Sequence, residues 1–327
     1  MTDATILVGD VRESLRGLPD GCARTVVTSP PYWGLRDYGH DGQLGLEQTP
    51  DEYVQEMVGV FREVRRVLAD DGTLWLNLGD SYASSGSSGK QSGIDDWMRD
   101  HRGAKGNGAK QSERVYGRAP TPSGLKAKEL IGIPWRVAFA LQADGWYLRQ
   151  DIIWAKPNPM PESVTDRCTK AHEYVFLLTK QPRYYYDAKA AAEPAKYAGH
   201  TVKASNAETA KNGAKGKYGA TALGFTQHDT TVGETRNRRS VWTVTTKPFK
   251  GAHFAVMPEA LVEPCVLAGS ATGDTVLDPF SGSGTVGVVA LRHGRNYIGC
   301  ELNPDYAALS EARIRDDQPL LNQVEVR

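Results

Sequence analysis

The sequence has few cysteines and no long hydrophobic segment. Four cysteines occur among its 327 residues, and no two of them form a Cys-x-x-Cys pair. Neither a structural zinc site nor a disulfide framework is therefore predicted. No apolar run is long enough to cross a bilayer, and residues 1–4 lack the basic and then apolar pattern of a signal peptide. We expect a cytoplasmic protein with no membrane partner and no resident metal ion.

Net charge is also absent, since 39 Lys and Arg residues balance 39 Asp and Glu residues. The positive charge is concentrated in two segments that lack helical or strand periodicity. Residues 81–128 hold nine basic and four acidic residues and are rich in Gly and Ser, which predicts a long flexible loop. Residues 187–250 hold eleven basic residues, with Arg236, Arg238 and Arg239 clustered. A basic face of this kind suits a phosphate backbone, although an ordinary solvated surface has the same composition.

Apolar strands that alternate with helices predict an α/β fold with a doubly wound, mostly parallel sheet. The hydrophobic content of 40% suffices for one large core and a smaller region. A helix is predicted from Pro50 to Leu68, because Thr49 and Glu52 form a capping box, and residues 71–72 are expected to end it. Further helices are predicted at residues 133–143 and 258–267. The seven predicted strands contain residues 6–8, 25–28, 73–78, 150–155, 173–179, 274–278 and 296–300.

The tetrapeptide Ser29-Pro30-Pro31-Tyr32 directly follows the apolar strand at residues 25–28. Two prolines stiffen the turn and can direct main-chain carbonyl groups outward, while the tyrosine ring offers a flat face for stacking. These features predict a pocket for a flat base that carries an exocyclic amino group.

A second motif, near the end of the chain, joins a strand to a helix through glycines. The strand ending at Asp278 leads through Gly282 and Gly284 into an apolar helix that begins near Thr285. This order lets a nucleotide-like ligand approach backbone N–H groups, although glycine turns also join strands to helices without a ligand. Glu301 closes the next strand, at the spacing of an acid that holds ribose hydroxyl groups. No Gly-Lys-Ser/Thr sequence follows the glycines, so an adenosine without a phosphate chain fits best.

Together these motifs resemble the amino-group DNA methyltransferases that use S-adenosylmethionine, in the permuted order that has the catalytic motif first. The resemblance covers most of the chain and implies one catalytic and cofactor-binding domain formed by residues 1–80, 129–186 and 251–327. The catalytic residues that it implies are Ser29, Pro30, Pro31 and Tyr32. The cofactor-binding residues that it implies are Asp10, His253, Phe254, Asp278, Phe280, Gly282, Gly284, Thr285 and Glu301.

The resemblance also implies roles for the two basic segments. Residues 81–128 are expected to contact DNA, and residues 187–250 are expected to form the target-recognition region. Arg236, Arg238 and Arg239 are expected to bind DNA, where basic side chains on phosphates supply much of the affinity. The implied partner is double-stranded DNA, and the family leaves open a cognate restriction endonuclease and a homodimer.

The implied chemistry requires the target base to leave the duplex, because its amino group is otherwise buried in the stack. Tyr32 is expected to stack on the extruded base. Ser29 Oγ and the Pro30 carbonyl are expected to accept hydrogen bonds from the amino group and to turn its lone pair toward the methyl donor. No strong base is required, because the nitrogen becomes acidic only after it is methylated.

The first residue of the catalytic motif bears on which base is modified. Family members commonly carry Asp there for N6-adenine and Ser for N4-cytosine, so Ser29 favours N4-cytosine over N6-adenine. Cys265 lies in a predicted amphipathic helix and is expected to face a core rather than to attack carbon 5 of cytosine. A non-catalytic DNA-binding module and an RNA or protein methyltransferase are the remaining alternatives, which the intact motifs and basic segments disfavour.

Overall fold

The computed structural model describes residues 2–35, 37, 39–83, 125–202, 230–246, 256–317 and 322–327. Most of the predicted DNA-contacting loop, residues 81–128, lies outside the described residues. His253 and Phe254 of the predicted cofactor site also lie outside them. Their assignments stay predictions.

The chain forms two compact units. The larger unit comprises Met1–Asp187 and Ser240–Arg327, and the smaller unit comprises Ala188–Arg239. The smaller unit falls within residues 187–250, the segment expected to recognise the target sequence. That role stays a prediction.

A nine-stranded sheet forms the centre of the larger unit. Its strands are β1 (Thr2–Val8), β2 (Ala23–Thr28), β3 (Leu68–Leu78), β4 (Tyr147–Ala155), β5 (His172–Thr179), β10 (Val241–Thr243), β11 (Thr275–Asp278), β12 (Asn296–Glu301) and β13 (Asn322–Val326). The strands numbered between them, β6 (Glu193–Pro194), β7 (Thr201–Val202), β8 (Thr230–Thr231) and β9 (Thr235–Arg236), belong to the smaller unit. The strand order is β10-β4-β5-β3-β2-β11-β12-β1-β13. All neighbours are parallel except β5, which is antiparallel to both β3 and β4. The sheet is therefore mostly parallel, as predicted.

The predicted count of seven strands is wrong, because two further strands extend the sheet at its edges. β10 is only three residues long and pairs with β4, and β13 pairs with β1 from Thr2 to Ile6. Edge strands need no continuous apolar run, since only one side of them pairs with a neighbour, and so their sequence signal is weak. The seven predicted strands all form, and β11 lies beside β2 as predicted.

Six helices connect the strands in the described part of the larger unit. They are α1 (Val11–Arg16), α2 (Pro50–Val67), α3 (Ile133–Ala143), α4 (Glu259–Gly269), α5 (Thr285–Arg292) and α6 (Pro304–Asp317). The predicted capping box at the start of α2 is confirmed, with Thr49 and Glu52 bonded to each other's backbone N–H groups. The predicted stop at residues 71–72 is wrong: α2 ends at Val67, and β3 begins directly at Leu68.

The helices cover both faces of the sheet. α2 packs against α1 and α3, whereas α5 packs against α4 and α6. In β2, Val26 lies in the hydrophobic cluster that includes Phe61 of α2, and its neighbour Thr25 lies against Gly269 of α4. Successive residues of a strand point to opposite faces, so the two groups of helices lie on opposite sides. The predicted doubly wound architecture is therefore confirmed.

Cys265 lies inside α4 and is only 1% exposed. Its thiol group donates a 3.4 Å hydrogen bond to the carbonyl oxygen of Leu261, one turn earlier in the helix. The expectation that this cysteine faces a core is confirmed.

The smaller unit contains two short antiparallel strand pairs. β6 (Glu193–Pro194) pairs with β9 (Thr235–Arg236), and β7 (Thr201–Val202) pairs with β8 (Thr230–Thr231).

None of the helices that the structure describes combines the length and apolar character needed to cross a membrane. Within the same residues, no group of three His, Cys, Asp or Glu side chains could hold a metal ion.

Candidate active site

The carboxyl ends of β2 and β11 bring the two sequence motifs together. The two strands are parallel neighbours, so Thr28 and Asp278, their last residues, lie at the same edge of the sheet. The hydroxyl group of Thr28 donates a 2.6 Å hydrogen bond to Asp278 Oδ1. Because Ser29 follows Thr28 in the chain, the predicted catalytic motif begins beside the predicted cofactor motif. A ligand crevice at this edge is typical of open α/β sheets.

The two prolines of the Ser-Pro-Pro-Tyr motif differ in what their carbonyl groups contact. The Pro31 carbonyl accepts a 2.8 Å hydrogen bond from the hydroxyl group of the buried Tyr53 in α2. The Pro30 carbonyl accepts no hydrogen bond from any of the described residues. Within the described residues, the Pro30 carbonyl therefore keeps both of its acceptor positions, whereas the Pro31 carbonyl has one of its two in use. The expected hydrogen bond from a substrate amino group to the Pro30 carbonyl stays a prediction.

The Tyr32 hydroxyl group is the centre of a polar network. It donates a hydrogen bond to Glu173 Oε2 at 2.8 Å, lies 3.1 Å from Asn77 Oδ1 and accepts a 3.2 Å hydrogen bond from Ser29 Oγ. Burial, followed by the negative charge of Glu173, raises the pKa of Tyr32 well above its ordinary value. The phenol is therefore neutral at physiological pH and acts through its hydrogen bonds.

The Tyr32 ring is held in place by close packing against the backbone of Gly79. A Cβ atom at residue 79 would lie 2.5 Å from Tyr32 Cε2 and 3.0 Å from Cδ2. Any larger residue would therefore displace the ring. The absence of a side chain at residue 79 therefore leaves the space that the Tyr32 ring occupies.

A small cavity lies beside Tyr32. Its volume of about 20 Å³ holds little more than one water molecule, so among the described residues this cavity is too small for a base. Asp80, on the wall of this cavity, accepts hydrogen bonds from the backbone N–H groups of Gly132 and Ile133 and so fixes the start of α3. The residues that line the cavity are Tyr32, Trp33, Leu35, Gly79, Asp80, Ser81 and Ile133.

Asn77, Glu173 and Lys156 belong to this network, although the sequence analysis did not identify them. Asn77 Nδ2 donates hydrogen bonds to Glu173 Oε2 and to the Tyr174 carbonyl oxygen. Lys156 forms an ion pair with the other carboxylate oxygen of Glu173. The position of Asn77, at the end of the strand after the catalytic one, was a usable signal. Glu173 reaches the same edge only because β5 runs antiparallel to β3, a direction that no local sequence pattern indicates.

Asp278 is a buried carboxyl group at the start of the glycine loop. Its Oδ1 atom accepts hydrogen bonds from Thr28 and, at 3.0 Å, from the backbone N–H of Phe280. Within the described part of the chain, its Oδ2 atom accepts no hydrogen bond. Burial raises the pKa of Asp278 from 3.8 to about 7, against the opposing effect of these hydrogen bonds. A cationic ligand beside Asp278 would favour the ionised form of this carboxyl group and lower its pKa.

Glu301 lies at the carboxyl end of β12 and binds the glycine loop directly. Its Oε2 atom accepts a 2.8 Å hydrogen bond from the Gly282 N–H, and its Oε1 atom accepts a 2.9 Å bond from the Asn303 N–H. Burial raises the pKa of this carboxyl group above its ordinary value. Each carboxylate oxygen has a second acceptor position, which leaves room for two ribose hydroxyl groups.

Gly284 and Thr285 form the end of the glycine loop and the start of α5. Gly284 precedes α5 with a φ of 74°, and a Cβ atom there would lie 2.9 Å from Ser310 Cβ. Thr285 is buried, and its hydroxyl oxygen accepts a 3.1 Å hydrogen bond from Arg313. Phe280 is half-buried and packs against the main hydrophobic cluster. A contact of any of these residues with the cofactor stays a prediction.

Asp10 caps α1 instead of standing free. Its carboxylate accepts hydrogen bonds from the Arg12 backbone N–H at 2.8 Å and from the Arg12 side chain at 2.6 Å. This pairing with Arg12 holds the pKa of Asp10 below its ordinary value. The preceding Gly9 donates a 2.9 Å hydrogen bond to the Glu301 carbonyl, so Asp10 lies near the cofactor edge. Its contact with an adenine amino group stays a prediction.

The three arginines predicted to bind DNA lie in the smaller unit. Arg236 and Arg239 each donate a hydrogen bond to the Glu193 carboxylate, and Arg238 donates one to the Ala191 carbonyl oxygen. The Arg239 side chain remains 68% exposed. Two arginines around one carboxylate leave a net positive cluster, whose role toward DNA stays a prediction.

The cofactor edge as a whole fits S-adenosylmethionine. Two carboxyl groups, the buried Asp278 and the partly buried Glu301, flank a glycine loop that has no phosphate-binding lysine. Carboxylates suit ribose hydroxyl groups and a cationic methyl donor, whereas they would repel a phosphate chain.

The sequence profile of the DNA methylase family N6_N4_Mtase matches residues 23–312. The Type II methyltransferase M.SmaI of Serratia marcescens is 49% identical over 309 residues, which cover 94% of this chain and 90% of the relative. The Type II methyltransferase M.Cfr9I of Citrobacter freundii is 46% identical over 318 residues, which cover 97% of this chain and 89% of the relative.

Solved structures share the fold at lower identity. A Thermus thermophilus protein crystallised with S-adenosyl-L-methionine superposes with a TM-score of 0.58 at 24% identity, over 99% of both chains. The PvuII DNA methyltransferase, described as cytosine-N4-specific, superposes with a TM-score of 0.60 at 18% identity, over 99% of this chain and 95% of its own. The family match and the two Type II relatives show that the chain belongs to the N6/N4 DNA methylase family and is a DNA methyltransferase, an enzyme that uses S-adenosyl-L-methionine.

Proposed function

We propose that this enzyme transfers a methyl group to the exocyclic N4 atom of cytosine in double-stranded DNA, after flipping the base out of the duplex. The observation that carries the proposal is Ser29, whose hydroxyl group lies at the junction of the two motifs with its proton directed to Tyr32. Serine at this position is the residue that family members commonly carry for N4-cytosine. The fold shared with the cytosine-N4-specific PvuII enzyme is consistent with this choice.

The described residues support a direct transfer to nitrogen. Tyr32 offers its ring to the flipped base, and stacking of this kind is worth about 1 to 3 kcal/mol. Ser29 Oγ and the Pro30 carbonyl accept hydrogen bonds from the amino group and orient its lone pair. The cofactor supplies an electrophilic methyl group from the neighbouring edge formed by Asp278 and Glu301. Cys265 is buried in α4, where its thiol group cannot reach a base.

We propose double-stranded DNA as the substrate and a restriction endonuclease of the same specificity as a cognate partner. The support for the partner is that the two relatives with nearly half of their residues identical are named as Type II methyltransferases. On the enzyme, Arg236, Arg238 and Arg239 provide a positive cluster suited to DNA phosphates. N6-adenine methylation is the alternative, and the experiment below separates the two.

The test is to incubate the enzyme with labelled S-adenosyl-L-methionine and plasmid DNA, digest the DNA to nucleosides and identify the labelled product. We expect the labelled product to be N4-methyl-2′-deoxycytidine. Ser29→Ala should retain cofactor binding and lose roughly tenfold to a hundredfold in rate, the effect of one hydrogen bond. Cys265→Ala is the matched control and should transfer methyl groups as before. Labelled N6-methyladenine, or labelled 5-methylcytosine that disappears with Cys265→Ala, would overturn the proposal.

A further inference from the structure

The hydrogen bonds around Tyr32 have a defined direction. Its hydroxyl group has one proton, and two of its three polar neighbours, Glu173 Oε2 and Asn77 Oδ1, are acceptors only. The Asn77 amide is oriented by its NH2 end, which donates to Glu173 Oε2 and to the Tyr174 carbonyl. The Tyr32 hydroxyl group therefore donates its proton to one of these two acceptors. The shorter of the two contacts, at 2.8 Å, is to Glu173 Oε2.

The direction of the Tyr32 proton determines whether Ser29 donates or accepts a hydrogen bond. Since the Tyr32 proton is used, the hydrogen bond between Tyr32 and Ser29 forms only if the Ser29 hydroxyl donates, over 3.2 Å. With its proton used in this way, Ser29 Oγ can present only lone pairs to a substrate. An amino group that approaches therefore meets an acceptor, whereas a hydroxyl proton directed outward would compete with the nitrogen lone pair.

Glu173 is itself held in one orientation. Lys156 forms an ion pair with Glu173 Oε1, and the two side chains are only 17% and 16% exposed. The Lys156 ammonium also lies 4.2 Å from the centre of the Trp154 ring, on the adjacent strand β4. Because one carboxylate oxygen is anchored by Lys156, the other is directed at Tyr32 and Asn77.

We propose that Glu173 is a positioning residue for methyl transfer, which acts through the Tyr32 hydroxyl group to keep Ser29 in its hydrogen-bond acceptor state. The inference rests on the proposed function at this same site. It assigns to Glu173 and Lys156 a role that neither sequence motif contains, and it separates the Tyr32 hydroxyl group, which sets proton direction, from the Tyr32 ring, which stacks on the base.

The test is a double-mutant cycle of Glu173→Gln and Tyr32→Phe, measured as single-turnover methylation rates of the full-length enzyme on duplex DNA. If Lys156 keeps the carbonyl end of the new amide, its NH2 end faces Tyr32 and can only donate. The Tyr32 proton would then lose its shortest contact and keep only Asn77 Oδ1, at 3.1 Å, and Ser29 Oγ, at 3.2 Å, as acceptors. The Ser29 hydroxyl group would therefore no longer be held as the donor. Tyr32→Phe keeps the ring and removes the hydroxyl group. Asp144→Asn is the control, since Asp144 is also 16% exposed and is paired with Arg62.

We expect each single variant to lose roughly tenfold to a hundredfold in rate, the size expected for one misdirected hydrogen bond. The double variant should be no slower than Tyr32→Phe alone, because Glu173 would have no hydroxyl group left to direct. Cofactor affinity, and the fluorescence of 2-aminopurine at the target position, should stay at the wild-type level in both single variants. Asp144→Asn should match the wild type.

Losses that multiply in the double variant would show that Glu173 does not act through Tyr32 and would overturn the inference. A wild-type rate for Glu173→Gln would overturn it as well. Glu173→Asp, which keeps the charge but shortens the side chain, replaces the amide variant if that protein fails to fold, and its rate loss should likewise vanish in the Tyr32→Phe background. The wild-type product is identified first: a product other than N4-methylcytosine refutes the proposed function, whereas N4-methylcytosine with multiplying losses refutes this inference alone.

Discussion

Replacing Asp278 by asparagine should make the protein's stability less sensitive to pH. Asn has nearly the same shape, and its single carbonyl oxygen can still accept the hydrogen bonds from Thr28 and from the Phe280 N–H. What the substitution removes is a titratable group that is 2% exposed. The Asp278→Asn variant therefore isolates the effect of a buried negative charge.

The magnitude follows from the raised pKa. Burial moves the pKa of Asp278 from 3.8 to about 7 in the folded protein. Because the folded value lies above the unfolded one, its contribution to stability is fully present below about pH 4 and is lost as the pH rises to about 7. A shift of this size corresponds to roughly 4 kcal/mol, of which roughly 2 to 3 kcal/mol is lost between pH 5 and pH 8. The amide NH2 group costs about 1 to 3 kcal/mol if it lacks an acceptor, but that cost does not depend on pH.

The assay is urea unfolding of the wild type and of Asp278→Asn at several values between pH 5 and pH 8, without cofactor. We expect the difference in unfolding free energy between them to move by roughly 2 to 3 kcal/mol in favour of the variant as the pH rises. Titrating groups that do not interact with Asp278 are common to both proteins and cancel in the difference. Two stability curves that run parallel across this range would refute the raised pKa and, with it, the argument that this carboxyl group is tuned for a cationic ligand.

Three further predictions concern the loop and the arginine cluster. Gly284→Ala should lower the unfolding free energy by more than about 1 kcal/mol in thermal or urea unfolding, because the residue has a φ of 74° and its Cβ would contact Ser310. An unchanged unfolding free energy would contradict this packing. Glu301→Gln should weaken S-adenosyl-L-methionine binding in calorimetry by roughly tenfold or more while DNA affinity is kept, and equal affinity would remove this residue from the cofactor site. The double change of Arg236→Gln and Arg239→Gln should lower DNA affinity. The slope of log affinity against log salt concentration should fall by about one unit for each lost phosphate contact, and a wild-type slope would place both side chains away from DNA.

The parts of the site that the sequence revealed are those that are contiguous in the chain. Ser29 to Tyr32 and Asp278 to Thr285 are each a strand end followed by a turn, so local rules for proline, glycine and strand ends were enough to identify them. Their meeting was also predictable, because parallel neighbouring strands bring their carboxyl ends to one edge. The hydrogen bond between Thr28 and Asp278 is the direct result of that arrangement.

The parts that the sequence did not reveal depend on strand direction and on contacts between distant segments. Glu173 is at the beginning of its strand, and only the antiparallel pairing of β5 with β3 carries it to the edge where parallel strands end. Asp80 binds the N–H groups that start α3 more than fifty residues later in the chain. The edge strands β10 and β13 were missed because a strand that pairs on one side needs little hydrophobic sequence.

The most direct test of the account is a crystal structure of the enzyme with a non-reactive analogue of S-adenosyl-L-methionine and a duplex that contains the target sequence. We predict that the analogue lies against Asp278 and Glu301, and that a cytosine is extruded onto the Tyr32 ring. Its N4 atom should lie about 3 Å from Ser29 Oγ and from the Pro30 carbonyl oxygen. An adenine in that position would contradict the choice of base, and a target base held away from Ser29 and Tyr32 would contradict the site itself.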